Sequence, residues 1–333
     1  MTQYFRPLVQ TDPCRPDDAY PLAGGWAWFT DVEVLSRDCT PQRLPARQAP
    51  AEILDRLIAT HAPIARLDMS APSVMGILNV TPDSFSDGGR HNAPDRALDH
   101  ARAMIEQGAD IIDIGGESTR PGAVEVPIDQ EIRRTAPVIA AIRAEMNVPI
   151  SIDTRKQPVA QAAIEAGAGL VNDVAGFTFD PELAPYCGAK SLPVCVMHAQ
   201  GDPETMQAAP HYDNVLLDVY DYLAERVAAL ETTGVARTRI MVDPGIGFGK
   251  TLDHNLALLK RISLFHSLGC PVLLGVSRKK FIGTLGNAPD PQDRAAGSVA
   301  LALAAVAQGV QVLRVHDVFE TRSALNLWQA VQG

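Results

Sequence analysis

From residue 74 onward the chain alternates two hydrophobic patterns. Short apolar runs rich in Val, Ile and Leu occupy 74–80, 111–114, 149–152, 170–172, 193–197, 240–242, 271–275 and 310–315. They are too short for helices, and turn residues bound them, so they predict buried strands. Between them, apolar residues recur at spacings of three and four over 95–107, 129–145, 158–166, 215–231, 254–262, 293–307 and 320–331, which predicts helices. Only the link at 181–189 is weakly patterned. Eight strands alternating with helices over 74–333 predict an α/β fold closed as a (β/α)8 TIM barrel. A doubly wound sheet is the alternative, but no G-x-G-x-x-G turn follows the first strand.

Residues 1–73 are patterned differently. They hold several prolines and a Gly24-Gly25-Trp26 turn, with a strand expected at 26–35 and a helix at 50–60. No chemistry is legible there. The segment reads as an N-terminal extension that packs on or caps a barrel spanning 74–333.

The formal charge of -10 over 333 residues argues against a nucleic-acid surface, which needs a basic excess. It leaves room for a small anionic substrate, because one local Arg and Lys cluster is enough. The opening MTQYFRPLVQ has no apolar signal-peptide core, and the longest apolar run, 299–307, is far short of the roughly 20 residues that span a bilayer. These features predict no membrane partner and a cytoplasmic protein. The five cysteines, Cys14, Cys39, Cys187, Cys195 and Cys270, are scattered without a zinc spacing or a disulfide framework. They read as reduced, with Cys195 as core packing.

In a (β/α)8 barrel the chemistry lies at the carboxyl ends of the strands. Those ends carry, in order, Asn79; Asp113 with Glu117, Thr119 and Arg120; Asp153; Asn172 and Asp173; Met197 and His198; Asp243; Ser277, Arg278 and Lys279; and Arg314 with His316. A lone Asp at a strand end is equally well explained as a cap or a turn residue. Repetition at every end is not. Asp153, Asp243, Asn172 and Lys279 together suit a flat heterocycle with an amino-oxo edge, whose adjacent N–H groups a carboxylate accepts in parallel. Arg314 and His316, two residues apart on one strand, share a face. With Asn79 they suit a phosphate or diphosphate, Asn79 offering an oxygen to a hard cation such as Mg2+. By itself the RVHD stretch is equally compatible with a core histidine and a solvated Arg314–Asp317 pair. The loops at 83–89 and 115–122 are rich in glycine and read as lids over the barrel mouth. DPGIGFGK at 243–250 lacks the phosphate-loop spacing and is expected to shape the pocket wall, with Phe248 as its apolar surface.

NVTPDSFSDGG at 79–89, GADIIDIGGESTRPGA at 108–123, ISIDTRK at 150–156, GLVNDVAG at 169–176, VMHAQG at 196–201, DPGIGFGK at 243–250, GVSRKKFIG at 275–283 and RVHDV at 314–318 together resemble the dihydropteroate synthase family. The resemblance runs in order over residues 74–333 and leaves 1–73 outside. It implies a transferase on a TIM barrel that joins 6-hydroxymethyl-7,8-dihydropterin diphosphate to p-aminobenzoate, forming dihydropteroate for folate synthesis. Carried over by position, Asp153, Asn172, Met197, Asp243 and Lys279 hold the pterin. Asn79, Arg314 and His316 hold the diphosphate, with Asn79 on the Mg2+ ion. Phe85, Thr119, Arg120, Pro121 and Phe248 form the p-aminobenzoate site. Asp153, Lys279, Arg120, Arg314 and His316 are then the catalytic set. Lys280 stands where family members have a small hydroxyl residue beside the p-aminobenzoate carboxylate. A homodimer and a place among the targets of sulfonamides are further implications.

Two rivals remain at this stage. Methyltetrahydrofolate:corrinoid methyltransferases share the pterin-reading residues but have no use for a diphosphate site. A non-catalytic paralogue would be expected to have lost phosphate ligands that are all present here.

Overall fold

The computed structural model describes residues 2–81, 93–118, 123–201, 206 and 209–332. The extension contributes β1 (Tyr4–Pro7), β2 (Tyr20–Pro21), β3 (Trp28–Phe29), β4 (Asp31–Leu35), β5 (Gln42–Pro45) and α1 (Ala51–Ile58). The remainder alternates β6 (Ser73–Asn79), α2 (Ala93–Glu106), β7 (Ile111–Gly115), α3 (Ile128–Glu145), β8 (Ile150–Asp153), α4 (Gln157–Ala166), β9 (Leu170–Asp173), α5 (Leu183–Ala189), β10 (Val194–Met197), α6 (Val215–Thr232), β11 (Ile240–Asp243), α7 (Leu252–Lys260), β12 (Leu273–Leu274), α8 (Lys280–Leu285), α9 (Ala295–Val306), β13 (Val312–Val315) and α10 (Val318–Gln332).

The eight expected strands form one parallel sheet in the order β11-β10-β9-β8-β7-β6-β13-β12. A parallel bridge between Val242 and Val272 joins its two ends and closes the ring. These strands are buried on both faces, the barrel lumen and the helix layer, so their sequences are continuously apolar rather than alternating.

Two strands are shorter than expected by two residues or more. Pro271 has no N–H to donate, and β12 begins at Leu273. The Gln311 side chain accepts the Val272 N–H at 2.9 Å in place of a backbone carbonyl, and β13 begins at Val312. The weakly patterned link at 181–189 is the two-turn helix α5. The strand expected at 26–35 is broken in two: β3 pairs with β2, whereas β4 is the centre of the antiparallel sheet β1-β4-β5.

The extension has its own core of Phe5, Leu22, Phe29, Val32, Val34 and Leu57. It is fastened to the barrel wall by polar contacts: Tyr4 Oη donates to Asp221 at 2.9 Å, Arg37 pairs with Asp218 at 2.6 Å and Asp221 at 2.7 Å, and Trp26 Nε1 donates to the Val306 carbonyl at 3.1 Å. Beyond α1 the chain passes beneath the barrel. Ile64, Leu67 and Met69 cluster there with Met75, Ile111, Leu170, Cys195, Met241, Leu273 and Val312, the lowest inward-facing residues of the strands. The lumen is therefore plugged with apolar side chains, and Cys195 packs in that layer. All five cysteines are unpaired. Among the described residues no helix is long and apolar enough to cross a membrane.

Candidate active site

Side chains alternate along a strand, so every second residue above the plugged floor also faces the lumen. Climbing by two leads from Ile111 to Asp113 and Gly115, from Ser151 to Asp153, from Leu170 to Asn172 and from Cys195 to Met197. On the remaining strands it leads from Met241 to Asp243, from Val312 to Arg314, and from Met75 to Ile77 and Asn79. The registers agree: Asp113 lies beside Ser151, Asp153 beside Asn172, and Met197 beside Asp243. One apolar layer thus gives way, one step higher, to a ring of polar groups.

Arg314 lies at the centre of that ring. Its Nε donates to Asp113 Oδ2 at 2.6 Å and its Nη2 to Asp153 Oδ2 at 2.7 Å. Burial works against its charge, but the Asp113 and Asp153 carboxylates outweigh burial and hold the guanidinium above the usual arginine value. Asn172 Nδ2 donates to the same Asp113 oxygen at 3.2 Å, which leaves the Asn172 carbonyl oxygen as an acceptor. Asp113 is fully buried, and its Oδ1 has no hydrogen-bond partner. Desolvation raises the Asp153 carboxyl; the Arg314 charge opposes the shift and Asp113 adds to it.

Asp243 enters from the opposite wall. Its Oδ1 accepts the Gly245 N–H at 2.7 Å. Desolvation raises this carboxyl too, held back by the Gly245 N–H and by the charges of Lys279, Arg314 and Lys250. The Lys279 ammonium sits 4.1 Å from the centroid of the Phe248 ring, a cation–π contact that joins a pterin candidate to a p-aminobenzoate candidate. A cavity of about 430 Å3 borders the other residues around Phe248, lined by Arg155, Val174, Thr178, Phe179, Met206 and Tyr222 among others. A second cavity, of about 490 Å3, lies at the seam of Tyr4, Arg37 and Asp221, away from the strand ends.

His316 is one step above Arg314. Ser277 Oγ accepts the His316 backbone N–H at 3.1 Å and lies 3.0 Å from Nδ1. Ser277 therefore fixes the imidazole through Nδ1 and leaves Nε2 as the ring nitrogen on the far side. Asn79 is reached across Gly115. A Cβ there would lie 3.7 Å from Asn79 Oδ1 and 3.8 Å from Asp153 Oδ2, so a larger residue would stand between amide and carboxylate.

Several strand-end residues face elsewhere. Asp317 pairs with Arg278, at 2.5 Å and 3.1 Å, rather than with Arg314 as the solvated-pair alternative had it. Arg278 adopts a left-handed φ of 56° between Ser277 and Lys279. Asp173 points out of the lumen and caps its loop, accepting the Ala175 and Phe177 N–H groups at 2.7 Å each. Glu117 belongs to a buried ion network with Arg155, Lys156 and Glu131; its Oε1 also accepts the Val126 N–H at 2.8 Å, tying together the two ends of segment 117–126. His198 is buried against Lys250. Lys280, the first residue of α8, is exposed. Phe85, Thr119, Arg120 and Pro121, together with the lid expected at 83–89 and the second half of the one at 115–122, lie outside the described residues.

Asp113 and Ser277 are the groups whose part sequence reasoning missed. Both stood at strand ends, but nothing in spacing linked Asp113 to Arg314, 201 residues away, or Ser277 to His316.

The chain matches the family model described as pterin binding enzyme over residues 75–316. It is 48% identical over 264 residues to the dihydropteroate synthase of Escherichia coli (strain K12), covering 79% of this chain and 93% of that protein. The dihydropteroate synthase of Bacillus subtilis (strain 168) is 47% identical over 245 residues, covering 74% and 83%. Among solved structures, Xanthomonas albilineans dihydropteroate synthase with 4-aminobenzoic acid superposes with a TM-score of 0.76 at 47% identity, covering 80% of this chain and 95% of that one. The same enzyme in complex with 7,8-dihydropteroate gives 0.74 at 44%, covering 80% and 96%. With the eight-stranded barrel and its ring of Asp113, Asp153, Asn172, Asp243 and Arg314 in place, the chain belongs to the dihydropteroate synthases, within the family of pterin-binding enzymes.

Proposed function

We propose that this chain condenses 6-hydroxymethyl-7,8-dihydropterin diphosphate with p-aminobenzoate to give 7,8-dihydropteroate and diphosphate. The observation that carries the reading is the sharing of one ring by two kinds of group. Asn172, Asp153 and Asp243 suit the amino-oxo edge of a pterin, and Arg314 and His316 suit an anion beside it. The methyltransferase alternative has no use for the second kind.

The CH2–O bond of the substrate breaks with its electron pair going to the diphosphate, and the electron-rich reduced ring stabilises the carbocation left behind. Arg314 keeps Nη1 for the departing anion while Nε and Nη2 are held by carboxylates, and His316 presents an N–H beside it. Both offset charge as it develops, without reorganising. Asp153, within reach of the same centre, offsets the positive charge of the cation. The aniline nitrogen then forms the new C–N bond and sheds a proton to water. It is a neutral nucleophile, so no strong base is needed. Met197 and Phe248 supply apolar walls, and Lys279 is set over Phe248 at the junction of the two substrates.

Mg2+ is part of the proposal. Among the described residues no cluster of three His, Cys, Asp or Glu could hold a metal by itself. Mg2+ commonly takes one or two protein oxygens and draws the others from substrate phosphates. Asn79 would supply the protein oxygen, and the ion would neutralise charge on the leaving group when bound.

A homodimer is supported by an apolar outer surface. From Ala295 to Val306, α9 carries no charged residue; Ala296, Ala300 and Ala304 are exposed, and Val299 and Leu303 half-buried. On α10, Phe319, Leu327 and Val331 are 61%, 68% and 81% exposed. Five unpaired cysteines support a cytoplasmic setting. Residues 1–73 are assigned a packing role.

The test is to measure diphosphate release and dihydropteroate formation with pterin diphosphate, Mg2+ and p-aminobenzoate, omitting each in turn. Product only with all three present is expected. Pterin binding without turnover would sink the proposal.

A further inference from the structure

Behind Asp243 lie two titratable side chains with no part in that reaction. Lys250 is 3% exposed, and among the described residues no carboxylate lies within ion-pair distance of it. Its Nζ lies 2.8 Å from His198 Nδ1, 3.0 Å from the Phe248 carbonyl and 3.5 Å from the His198 carbonyl. Burial lowers Lys250 to about 7, with Asp243 opposing the shift, and burial together with the Lys250 charge takes His198 down to about 2. His198 is therefore neutral and accepts through Nδ1. A buried ammonium is a costly way to fill space. Its value must lie in something an apolar side chain cannot do.

The turn it closes explains that value. Gly245, Gly247 and Gly249 alternate through 243–250, all in the left-handed region, with φ of 66°, 84° and 60°. A Cβ at Gly245 would fall 1.8 Å from the His198 carbonyl oxygen, and one at Gly249 2.6 Å from that of Gln200. The turn thus lies flat on the end of β10, and its buried carbonyls need donors from outside the strand ladder. Lys250 supplies one to Phe248 and Tyr212 Oη supplies another to Gly249, at 2.7 Å. Phe248 is thereby held at its own carbonyl and that of its neighbour, with its ring against Lys279.

We propose that Lys250 and His198 are positioning residues: together they fix the glycine turn so that Phe248 forms a preorganised wall for the aromatic amine substrate. The inference rests on the reaction proposed above. Neither residue reaches the mouth, and both act through the Phe248 backbone.

Lys250→Met and His198→Leu remove the donor and the acceptor, and His198→Asn keeps an acceptor near the position of Nδ1. In the first two, KM for p-aminobenzoate is expected to rise about tenfold with kcat within about threefold; affinity for the pterin alcohol falls by less, and changes little in His198→Leu, which leaves the Lys250 charge near Asp243 in place. His198→Asn is expected to restore KM to near wild type, a rescue that a simple loss of stability would not give. Should Lys250→Met fail to fold, the two His198 variants decide. Folded variants with unchanged KM for p-aminobenzoate, or with equal losses for both substrates, would overturn the inference. Calorimetric titration of p-aminobenzoate, with pterin alcohol and diphosphate present, makes the same comparison without turnover. It separates failure of the positioning role from failure of the reaction.

Discussion

Arg314 on β13 reaches past β6 to donate through Nε to Asp113 on β7, at 2.6 Å. Asp113 is fully buried, and the same oxygen also receives the Asn172 amide. One buried carboxylate therefore aims a group suited to the leaving anion and a group suited to the pterin. Asp113→Asn removes the charge from the oxygen that both donors share, so the Arg314 bond is no longer an ion pair. A charge-assisted bond of this kind is worth roughly 1.5 to 3 kcal/mol, so kcat/KM is expected to fall about 10- to 100-fold. Steady-state kinetics that match wild type would remove Asp113 from the site.

Asp243 is expected to read the pterin directly. Its Oδ1 is engaged by the Gly245 N–H, which fixes the carboxylate plane and turns Oδ2 toward the lumen near Gly275. Replacement by Asn is expected to weaken pterin binding by roughly 2 to 4 kcal/mol, the loss of a buried charge-assisted pair. Calorimetry with the pterin alcohol measures this, and an unchanged affinity would refute the assignment.

The strand ends were legible because a barrel obeys two periods at once: strand and helix alternate along the chain, and inward residues recur every second position. That places Asp153, Asn172, Asp243 and Arg314 in one lumen before any coordinates are known. It cannot say which of them touch. Arg314 and His316 looked like a pair because they are two residues apart, whereas in the fold Arg314 is held by Asp113 and Asp153 and His316 by Ser277. Asp317 is near Arg314 in sequence, but β13 ends at Val315, and beyond the strand Asp317 turns to Arg278. In the extension, β1, β2 and β5 escaped notice because they are short and interrupted by Arg or Pro, so no alternation develops. The surroundings of Lys250 were hidden because two of its partners are backbone carbonyls and the third, the His198 ring, lies 52 residues away.

His316→Ala is expected to impair diphosphate binding much more than binding of the pterin alcohol. The imidazole is oriented by Ser277 at 3.0 Å and stands one strand step above Arg314, outside the group of amide and carboxylates suited to the pterin. Titrating diphosphate and the pterin alcohol separately into wild type and variant measures the two effects. Equal losses for both ligands would count against the phosphate role.

Acid sensitivity is expected from the seam between extension and barrel. His266 is buried beside Leu22 and Gly309, with Nε2 3.0 Å from the Gln308 carbonyl and Nδ1 unpartnered. Burial lowers it to about 4, and the neighbouring His61 contributes in the same direction. A folded-state pKa below the unfolded value means the stability is fully present above about pH 6.5 and is lost as pH falls toward 4, up to roughly 3 kcal/mol. His266→Gln retains a donor for Gln308 but does not titrate. Its urea midpoint should fall less than that of wild type between pH 7 and pH 4. Parallel slopes for the two proteins would exclude His266 as the cause.

The barrel floor gives a prediction of opposite character. Met69 is nearly fully buried and packs with Ile64, Leu67 and the lowest inward residues of the strands, among them Met75, Met241 and Val312. Because that layer lies below the polar ring, its packing supports the barrel without touching substrate groups. Met69→Ala opens a cavity and is expected to cost roughly 2 to 4 kcal/mol in urea unfolding. Both KM values should stay close to wild type, since the strands above are tied to one another by their own hydrogen bonds. A loss of pterin affinity comparable to the loss of stability would mean that the floor sets the geometry of the ring. Unchanged stability would mean that residues 64–69 do not plug the lumen in solution.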